Sequence, residues 1–218
     1  MNILITGGAG FIGSFLVDKL IEDGHFVRIF DNLEPQVHQN KFPSYLNKNA
    51  EFIREDITNY DGLKNAISDI DVIFHESAMV GVGQSMYQIS KYINTNTLGT
   101  ANLLDILVNN EHSVKKLIVA SSMSTYGEGG YQCENCGVIE PPLRTEKQMS
   151  KKQWELICGD CKEELKSIPT PETKEQDCNS IYAYSKKYQE DMVMSIGNTY
   201  GLPVTALRYF NVYGPRQS

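Results

Sequence analysis

The stretch TGGAGFIG, residues 6–13, decides the fold of this chain. It follows the apolar run NILIT and opens a helical stretch, and its three spaced glycines are Gly7, Gly10 and Gly13. A tight strand-to-helix turn needs residues without a Cβ, and it exposes helix N–H groups that can bind a pyrophosphate. The context therefore predicts a dinucleotide site that includes Phe11 and Ile12; a purely structural turn is the plainer alternative.

Short apolar runs alternate with helical stretches along most of the chain. The runs rich in Val, Ile, Leu and Phe are 2–6, 26–30, 51–55, 71–76, 115–121 and 203–210, and the helical stretches are 11–23, 60–69, 85–110 and 181–200. Nearly continuous apolar runs are typical of strands that are buried on both faces of a parallel sheet. Their alternation with helices predicts an α/β fold with a doubly wound parallel sheet.

Composition excludes several classes of partner. The net charge of −7 and pI near 5.1 argue against nucleic acid as the main partner, because phosphate binding needs a basic surface. The sequence holds no apolar run of about 18 residues, so no membrane span is expected. The N-terminus resembles neither a basic leader nor a cleavage site. Cysteine usage favours a reducing compartment, and we expect a cytoplasmic protein.

Asp31 is the candidate ribose-binding acid. It ends the second apolar run, 18 residues after Gly13. A carboxylate at this position can accept hydrogen bonds from the adenosine ribose hydroxyls and repels a 2′-phosphate. The following Asn32 is assigned to the same site, and the local sequence DNLE contains no Arg. NAD is therefore favoured over NADP, although an aspartate that only caps a helix is the alternative.

Two further strand ends fit a cofactor cleft. Asp56 and Ile57 follow the third apolar run, where the acid can meet the adenine amino group or can simply cap a turn. Ser77 and Ala78 follow the fourth run, and their small side chains leave room for the pyrophosphate and ribose. His75, just before them, is expected to be a core histidine rather than a catalyst.

A tyrosine and a lysine share one helix face in SIYAYSKKYQE. Tyr182 has Lys186 four residues later, so the two side chains are neighbours on a helix. A free phenol titrates near pKa 10, and a nearby ammonium and a cationic nicotinamide favour the phenolate. Tyr182 is therefore a candidate acid/base, although a surface helix can carry such a pair by chance. A partner hydroxyl is expected from the fifth strand end, where alternation does not choose among Ser121, Ser122, Ser124 and Thr125.

The segment 127–179 interrupts the strand–helix rhythm. It holds all five cysteines and four of the eight prolines, and it is too long for an ordinary connection. Two CxxC pairs, separated by 21 residues, are formed by Cys133, Cys136, Cys158 and Cys161. Four thiolates at this spacing predict a structural zinc site in a zinc-ribbon-like insert; two redox dithiols or four ordinary cysteines are the alternatives.

Gly137 and Gly159 are expected at the turns of the two cysteine pairs, where backbone N–H groups must face sulfur. The segment has almost no apolar core, so metal binding would have to drive its folding. Cys178 is unpaired. We expect residues 1–127 and 179–218 to form the NAD-binding domain and 128–178 to form the insert.

Six motifs together resemble one family. TGGAGFIG, HESA, NTLGTANLL, SSMSTYG, YAYSK and LRYFNVYGPRQ resemble the extended short-chain dehydrogenase/reductases, specifically the NAD-dependent epimerases and dehydratases of nucleotide sugars. The motifs cover nearly the whole chain outside 128–178, and the resemblance implies a Rossmann fold. The insert resembles that of a subgroup similar to dTDP-L-rhamnose 4-epimerase, which is less specific about the substrate.

The resemblance implies catalytic roles for three residues. Ser122, four residues before the tyrosine of the YG pair, maps onto the catalytic hydroxyl, Tyr182 onto the base and Lys186 onto the ribose-binding lysine. The dehydratases of the family carry an Asp-Glu pair just after this hydroxyl. Here Met123 and Ser124 stand there, and neither can transfer protons at neutral pH. Dehydration is therefore not expected.

The resemblance also implies that Asn96 and Tyr209 contact the cofactor and that Asn211 contacts the substrate. The helical stretches 85–110 and 181–200 resemble those that form the family's homodimer contact, so a homodimer is expected.

An NAD-dependent 4-epimerase of a nucleotide sugar is the function that these features predict, by transient oxidation to a keto sugar. A reductase or decarboxylase of a similar sugar and a non-catalytic NAD-binding module are the alternatives. Family members continue beyond the point where this chain stops, so the C-terminal substrate lobe is expected to be missing. The 218 residues alone are expected to bind NAD and to turn over sugar poorly.

Overall fold

The computed structural model describes residues 1–39 and 41–218, which divide into two compact units. The first, called here the α/β unit, consists of Met1–Ser122 and Ser180–Ser218. The second, called the insert, is Met123–Asn179. The insert therefore leaves the α/β unit directly after Ser122 and returns to it directly before Ser180.

The α/β unit contains one six-stranded parallel sheet. Its strands are β1 Asn2–Thr6, β2 Phe26–Asp31, β3 Glu51–Arg54, β4 Val72–His75, β5 Lys116–Ser122 and, after three strands of the insert, β9 Val204–Tyr209. The order across the sheet is β3-β2-β1-β4-β5-β9, and every neighbouring pair is parallel. This confirms the doubly wound Rossmann fold. The strand order reverses between β1 and β4, and open α/β sheets bind ligands at such a switch point.

The helices of the unit are α1 Phe11–Glu22, α2 Pro35–His38, α3 Tyr60–Ala66, α4 Val82–Ser85, α5 Ile89–Tyr92, α6 Gly99–Asn109 and α8 Ile181–Tyr200. A π-helical segment, Ile93–Leu98, joins α5 to α6. The single helix expected over 85–110 is therefore divided, since Gln88 leaves the helical region with φ −112° and ψ 43°. Gly24 ends α1 as expected, because its φ of +81° turns the chain so that the His25 N–H reaches the Leu20 carbonyl.

Alternation along the central strand supplies both faces of the core. Ile3 and Ile5 pack with Val17 of α1 on one face of the sheet. Leu4 packs with Leu103 of α6 on the other face. Each such fully buried side chain contributes about 1.5–3 kcal/mol of transfer free energy. The helices therefore cover both faces and leave the carboxyl ends of the strands for the site.

The insert is built on a three-stranded antiparallel sheet. Its strands are β6 Gly130–Cys133, β7 Gly137–Ile139 and β8 Lys166–Ile168, in the order β7-β6-β8. It also contains a 3₁₀ turn, Met123–Tyr126, and the short helix α7, Glu146–Ser150. The buried apolar cluster holds only Cys133, Leu156, Cys158 and Leu165. Two of these four are cysteines, so this unit has little apolar core, as the sequence predicted.

Within the described residues, no helix combines the length and the apolar character that a bilayer crossing requires.

Candidate active site and cysteine cluster

The loop after β1 has room only for glycine at two of its positions. Gly7 has φ +72°, and a Cβ there would lie 2.7 Å from the backbone nitrogen of Ser77. A Cβ on Gly13 would overlap the Gly7 carbonyl. The helix α1 then begins after Gly10, and no side chain caps it. Its first N–H groups lack a side-chain acceptor, which fits a cradle for the pyrophosphate of a dinucleotide.

Asp31 is held against this loop at the end of β2. Its Oδ2 accepts a hydrogen bond of 3.0 Å from the Ala9 N–H, and its Oδ1 accepts one of 2.8 Å from the Leu33 N–H. Burial raises the pKa of Asp31, and these two backbone donors oppose the rise. Each carboxylate oxygen keeps a second lone pair. The side chain can therefore accept further hydrogen bonds, such as those of ribose hydroxyls.

Asp56 lies in a turn two residues beyond β3 and caps that turn. Its Oδ1 accepts hydrogen bonds from the N–H and hydroxyl of Thr58, and its Oδ2 accepts one of 2.7 Å from the Asn32 amide. Burial acts to raise the pKa of Asp56, but these hydrogen bonds outweigh it and the pKa is lowered. The neighbouring Ile57 is buried in the core against Gly99. The geometry thus ties Asn32 to Asp56 at one edge of the sheet.

Ser122 and Tyr182 meet across the α/β unit. Ser122 is the last residue of β5, Tyr182 lies in the first turn of α8, and their hydroxyls are hydrogen-bonded. Burial raises the pKa of Tyr182, and the hydrogen bond to Ser122 opposes it. Of the alternative hydroxyls, Ser121 instead donates a hydrogen bond of 2.6 Å to Glu190. The structure therefore identifies Ser122 as the hydroxyl that meets Tyr182, a choice that strand alternation did not make.

Lys186 lies one helical turn beyond Tyr182 and is only 3% exposed. Its Nζ donates a hydrogen bond of 2.8 Å to the Ala120 carbonyl of β5. Burial lowers the pKa of Lys186 to about 8, and the carboxylate of Glu76 opposes this. Burial dominates at the phenol, so the pKa of Tyr182 itself is raised. The lowering expected from the ammonium together with a cationic nicotinamide stays a prediction.

Three contacts fix the start of α8. The Ser180 hydroxyl caps the helix by accepting a hydrogen bond from the Ala183 N–H. The Tyr182 N–H donates to the Ser85 hydroxyl at 3.0 Å. The Tyr182 and Tyr92 rings meet edge to face, at a centroid distance of 6.3 Å and an interplanar angle of 88°. These contacts set the direction of the phenol before any ligand binds.

The buried side chain of Asn96 forms hydrogen bonds to other residues of the α/β unit. It is 0% exposed, its Oδ1 accepts from the Met79 N–H, and its Nδ2 donates to the Met79 carbonyl and the Ser185 hydroxyl. Through these hydrogen bonds Asn96 joins the segment after β4 to the helix α8, and so helps to position Tyr182. Its contact with the cofactor stays a prediction.

His75 is a core histidine, as expected. Its ring nitrogens lie 2.7 Å from the Thr6 hydroxyl and 2.8 Å from the Thr100 hydroxyl, and Gln189 completes the cluster. Burial lowers the pKa of His75 to about 3, with help from the charge of Lys186. The ring is therefore neutral at physiological pH, and it links β1 and β4 to α6 and α8.

Glu76 is a site residue that sequence reasoning missed. Tyr209, the last residue of β9, donates a hydrogen bond of 3.3 Å to its carboxylate. Burial raises the pKa of Glu76, and Lys186 and Tyr209 oppose the rise. The available signal was a charged residue directly after an apolar strand in HESA.

Three other predicted site residues follow strands of the same sheet. Ser77 donates its N–H to the Thr6 hydroxyl, and Ala78 is partly buried. Asn211 is exposed and lies beyond β9.

The insert brings four cysteines into one cluster. The sulfurs of Cys133, Cys136, Cys158 and Cys161 all lie within 4.8 Å of one another. The Cys133 and Cys161 sulfurs are 3.3 Å apart, the Cys136 and Cys158 sulfurs are 3.8 Å apart, and no disulfide joins these cysteines. Tetrahedral zinc with bonds of about 2.3 Å would separate its sulfurs by about 3.8 Å. The donor set and its size therefore fit a tetrahedral metal ion.

Two similar turns present these sulfurs. Gly137 follows the first pair with φ +84°, as expected for a turn whose N–H groups face sulfur. In the second pair Lys162, not Gly159, takes the matching position, with φ +67°. Backbone N–H groups of Cys161 and Asp160 donate to the Cys158 sulfur and lower its pKa to about 7. Gly159 lies in the turn of the second pair, as expected, and the left-handed conformation follows the second cysteine of each pair.

Comparison with known proteins identifies relatives along the whole chain. Residues 3–218 match the NAD dependent epimerase/dehydratase family. The chain is 32% identical over 221 residues to dTDP-L-rhamnose 4-epimerase of Burkholderia thailandensis, which aligns with 100% of this chain and 59% of that protein.

Solved structures of two UDP-glucose 4-epimerases also match the whole of this chain. UDP-glucose 4-epimerase of Thermotoga maritima, solved with UDP-glucose, has a TM-score of 0.76 and 32% identity, over 100% of this chain and 58% of that one. UDP-glucose 4-epimerase of Thermus thermophilus, solved with NAD, has a TM-score of 0.73 and 30% identity, again over 100% and 58%. The chain therefore spans less than two thirds of the length of these proteins.

Proposed function

We propose that this chain, which belongs to the NAD dependent epimerase/dehydratase family, carries the cofactor site and the catalytic residues of a nucleotide-sugar 4-epimerase. The observation that carries the proposal is the hydrogen bond between Ser122 and Tyr182 beside the buried Lys186. All three residues lie in the unit that also holds the glycine loop. The epimerases among the relatives support the same reaction.

NAD is the proposed cofactor, and the glycine loop would hold its pyrophosphate. Gly7, Gly10 and Gly13 allow the close approach, and the uncapped N–H groups at Phe11 and Ile12 would donate to phosphate oxygens. Asp31 would accept the ribose hydroxyls and would disfavour the 2′-phosphate of NADP. The remaining proposed contacts of the cofactor are Asn32, Asp56, Ile57, Ser77, Ala78, Tyr182, Lys186 and Tyr209.

NAD, when bound, accepts a hydride from the sugar ring and later returns it. Tyr182 would take the proton of the C4 hydroxyl and would return it when the opposite face of the keto sugar is reduced. Ser122 would hydrogen-bond the same sugar oxygen and the phenol, and so would align the two. Because burial raises the pKa of Tyr182, the phenolate needs additional positive charge. Lys186 is the residue of this chain that would supply it, and Asn211 would contact the substrate.

Two neighbouring positions argue against loss of water as the reaction. Met123 and Ser124, directly after Ser122, cannot exchange protons at neutral pH. Oxidation and reduction at a single carbon need no acid or base beyond the Ser122–Tyr182 pair, so the proposed reaction does not require the missing Asp-Glu pair.

A panel of nucleotide sugars tests the proposed reaction. The intact protein is mixed with each sugar without added NAD, and inversion at C4 is followed by NMR. An epimerase regenerates its cofactor in every cycle, so inversion should proceed without net formation of NADH. Stoichiometric consumption of added NAD or NADH, with a reduced or decarboxylated product, would instead identify a reductase or a decarboxylase. NAD binding without turnover of any sugar would support a binding module.

Structural zinc is the proposed occupant of the cysteine cluster. The sulfur spacing and the four-cysteine donor set support it, because zinc prefers tetrahedral thiolate ligands. The insert buries only four residues in its apolar cluster, so metal binding would supply much of its folding free energy. None of the five cysteines forms a disulfide, which suits a reducing compartment and supports a cytoplasmic location.

A homodimer is proposed from the resemblance of its helices to the family's paired helices. Leu98 before α6, and Tyr184 and Tyr188 on α8, are large apolar or aromatic residues that are 44–46% exposed. Exposed groups of this kind are enriched at protein interfaces. Light scattering of the intact protein tests this proposal, and a strictly monomeric mass would reject it.

A further inference from the structure

The carboxylate of Glu76 occupies a position in the sheet that brings it close to Lys186. His75, the last residue of β4, is paired with Val119 of β5. The next residues of these parallel strands, Glu76 and Ala120, are therefore neighbours at the carboxyl edge. The Ala120 carbonyl is the acceptor of the Lys186 Nζ, at 2.8 Å. Strand register thus places the backbone of Glu76 beside the peptide that holds the ammonium.

Tyr209 fixes the direction of the carboxylate from the other side. Its hydroxyl donates to Glu76 Oε1 at 3.3 Å, across the end of β5. The backbone at Glu76 and Ser77 is in turn held close to Gly7, where any Cβ would overlap it. Glu76 is therefore anchored between the glycine loop and the end of β9.

The Lys186 ammonium needs such a partner. Its side chain is 3% exposed, and the Ala120 carbonyl carries only a partial charge. A buried ammonium without a counter-charge tends to lose its proton. Among the described residues, Glu76 is the group that raises the pKa of Lys186 against burial. His75 also faces Lys186, but it is neutral at physiological pH.

We propose that Glu76 is a positioning residue for the reaction, whose carboxylate keeps the buried Lys186 charged and so sustains the positive charge that the Tyr182 phenolate requires. This inference rests on the proposed function for its catalytic consequence, whereas the electrostatic interaction of Glu76 with Lys186 does not depend on that function. Glu76 acts through Lys186 and is assigned no contact with the reacting atoms.

The direction of the effect follows from the charges. The pKa of Lys186 is already lowered to about 8 by burial, and Glu76 raises it. Removal of the carboxylate charge lowers this pKa further, so the ammonium is lost at a lower pH. The titratable groups that face Glu76 are Lys186 and Tyr209. Burial and the Glu76 charge raise the pKa of Tyr209, so its phenol is neutral at the pH of the experiment.

NMR titration of Lys186 is the direct test. The intact protein is labelled with ¹³C at the lysine ε-carbon, and the Lys186 signal is assigned from its loss in K186R. In Glu76→Gln, which keeps the shape of the side chain, the pKa of Lys186 should fall by about one unit or more. Glu76→Asp should recover part of the shift. Glu111→Gln is the matched control, because Glu111 is exposed and the change in net charge is the same.

Epimerase kinetics supply the second measurement. The alkaline limb of the kcat profile should move to lower pH in Glu76→Gln by the same amount as the Lys186 titration, and should not move in Glu111→Gln. An unchanged Lys186 titration in both Glu76 variants would overturn the inference. A Lys186 shift without any shift of the alkaline limb would overturn its catalytic part. If Glu76→Gln shifts the Lys186 titration but the wild-type protein does not epimerise any sugar, the proposed function fails. The effect of Glu76 on the charge of Lys186 is then retained.

Discussion

The hydroxyls of Ser122 and Tyr182 are hydrogen-bonded to each other, although Tyr182 follows Ser122 by sixty residues in the chain. The whole of the insert, Met123–Asn179, lies between them in sequence. Ser122 ends a buried strand and Tyr182 begins a capped helix, so each hydroxyl is presented by a rigid element. Rigid placement of both groups reduces the entropy that the reaction must lose.

Tyr182→Phe should reduce kcat by about 10²–10⁴-fold, because it removes the acid/base oxygen. NAD binding should persist, since the ring and the helix remain. Tyr200→Phe is the matched control on the same helix, where the side chain is exposed. Initial rates and calorimetric titration with NAD measure the two effects. Full activity in Tyr182→Phe would refute the proposed role of the phenol.

Ser122→Ala should shift the acid limb of the kcat/KM profile to higher pH. The Ser122 hydrogen bond lowers the pKa of Tyr182, so its loss raises that pKa and the phenolate forms only at higher pH. The rate at neutral pH should fall about tenfold or more. Ser195→Ala, at an exposed position of α8, is the control. An acid limb that stays in place would show that Ser122 does not tune the phenol.

Gly7→Ala should abolish NAD binding and lower stability by at least about 2 kcal/mol. The added Cβ would meet the Ser77 backbone at 2.7 Å, in a conformation with φ +72° that side chains disfavour. Gly83→Ala is the control, because a Cβ there has no neighbour within 4 Å. Thermal unfolding and NAD titration report the two effects separately. Equal behaviour of the two variants would contradict the close approach seen at Gly7.

Asp31→Asn should weaken NAD binding by about tenfold or more, because neutralising the acceptor weakens charge-assisted hydrogen bonds. Binding of NADP should change less, since the repulsion of its 2′-phosphate also disappears. The ratio of the two dissociation constants is therefore the informative quantity. Asp23→Asn, at the exposed end of α1, controls for the change in net charge. An unchanged ratio would remove Asp31 from the ribose site.

The purified protein should contain one zinc ion per chain. Cys136→Ser should lose the metal and unfold the insert, because a structural zinc site supplies about 10–16 kcal/mol of apparent binding free energy. Cys178→Ser should retain the metal, since this fifth cysteine stands outside the cluster and contacts the Thr125 carbonyl. Elemental analysis and proteolysis of the insert measure these outcomes. Zinc content near zero in the wild-type protein, with all cysteines reduced, would reject the site.

Local patterns in the sequence were enough to predict much of the fold. The six apolar runs correspond to the six parallel strands, and the helical stretch 181–200 corresponds to α8, because strand burial and helix periodicity leave a direct trace in residue order. The glycine spacing and the two cysteine pairs were equally readable, since each depends on residue types at short separation. The division of 85–110 into shorter helices was not readable, because it depends on the backbone near Gln88 and the π-helical segment after it.

By itself, the sequence determined the doubly wound sheet, the glycine turn and the four-cysteine set, all of which follow from periodicity and backbone sterics over short stretches. Only the tertiary structure decided which hydroxyl meets Tyr182, because the choice between Ser121 and Ser122 depends on the face of β5 that Glu190 occupies. It alone revealed that Asn96 is consumed by internal hydrogen bonds and that Glu76 lies beside the peptide holding Lys186. Such pairings join residues far apart in the chain, and strand register with helix packing brings them within reach.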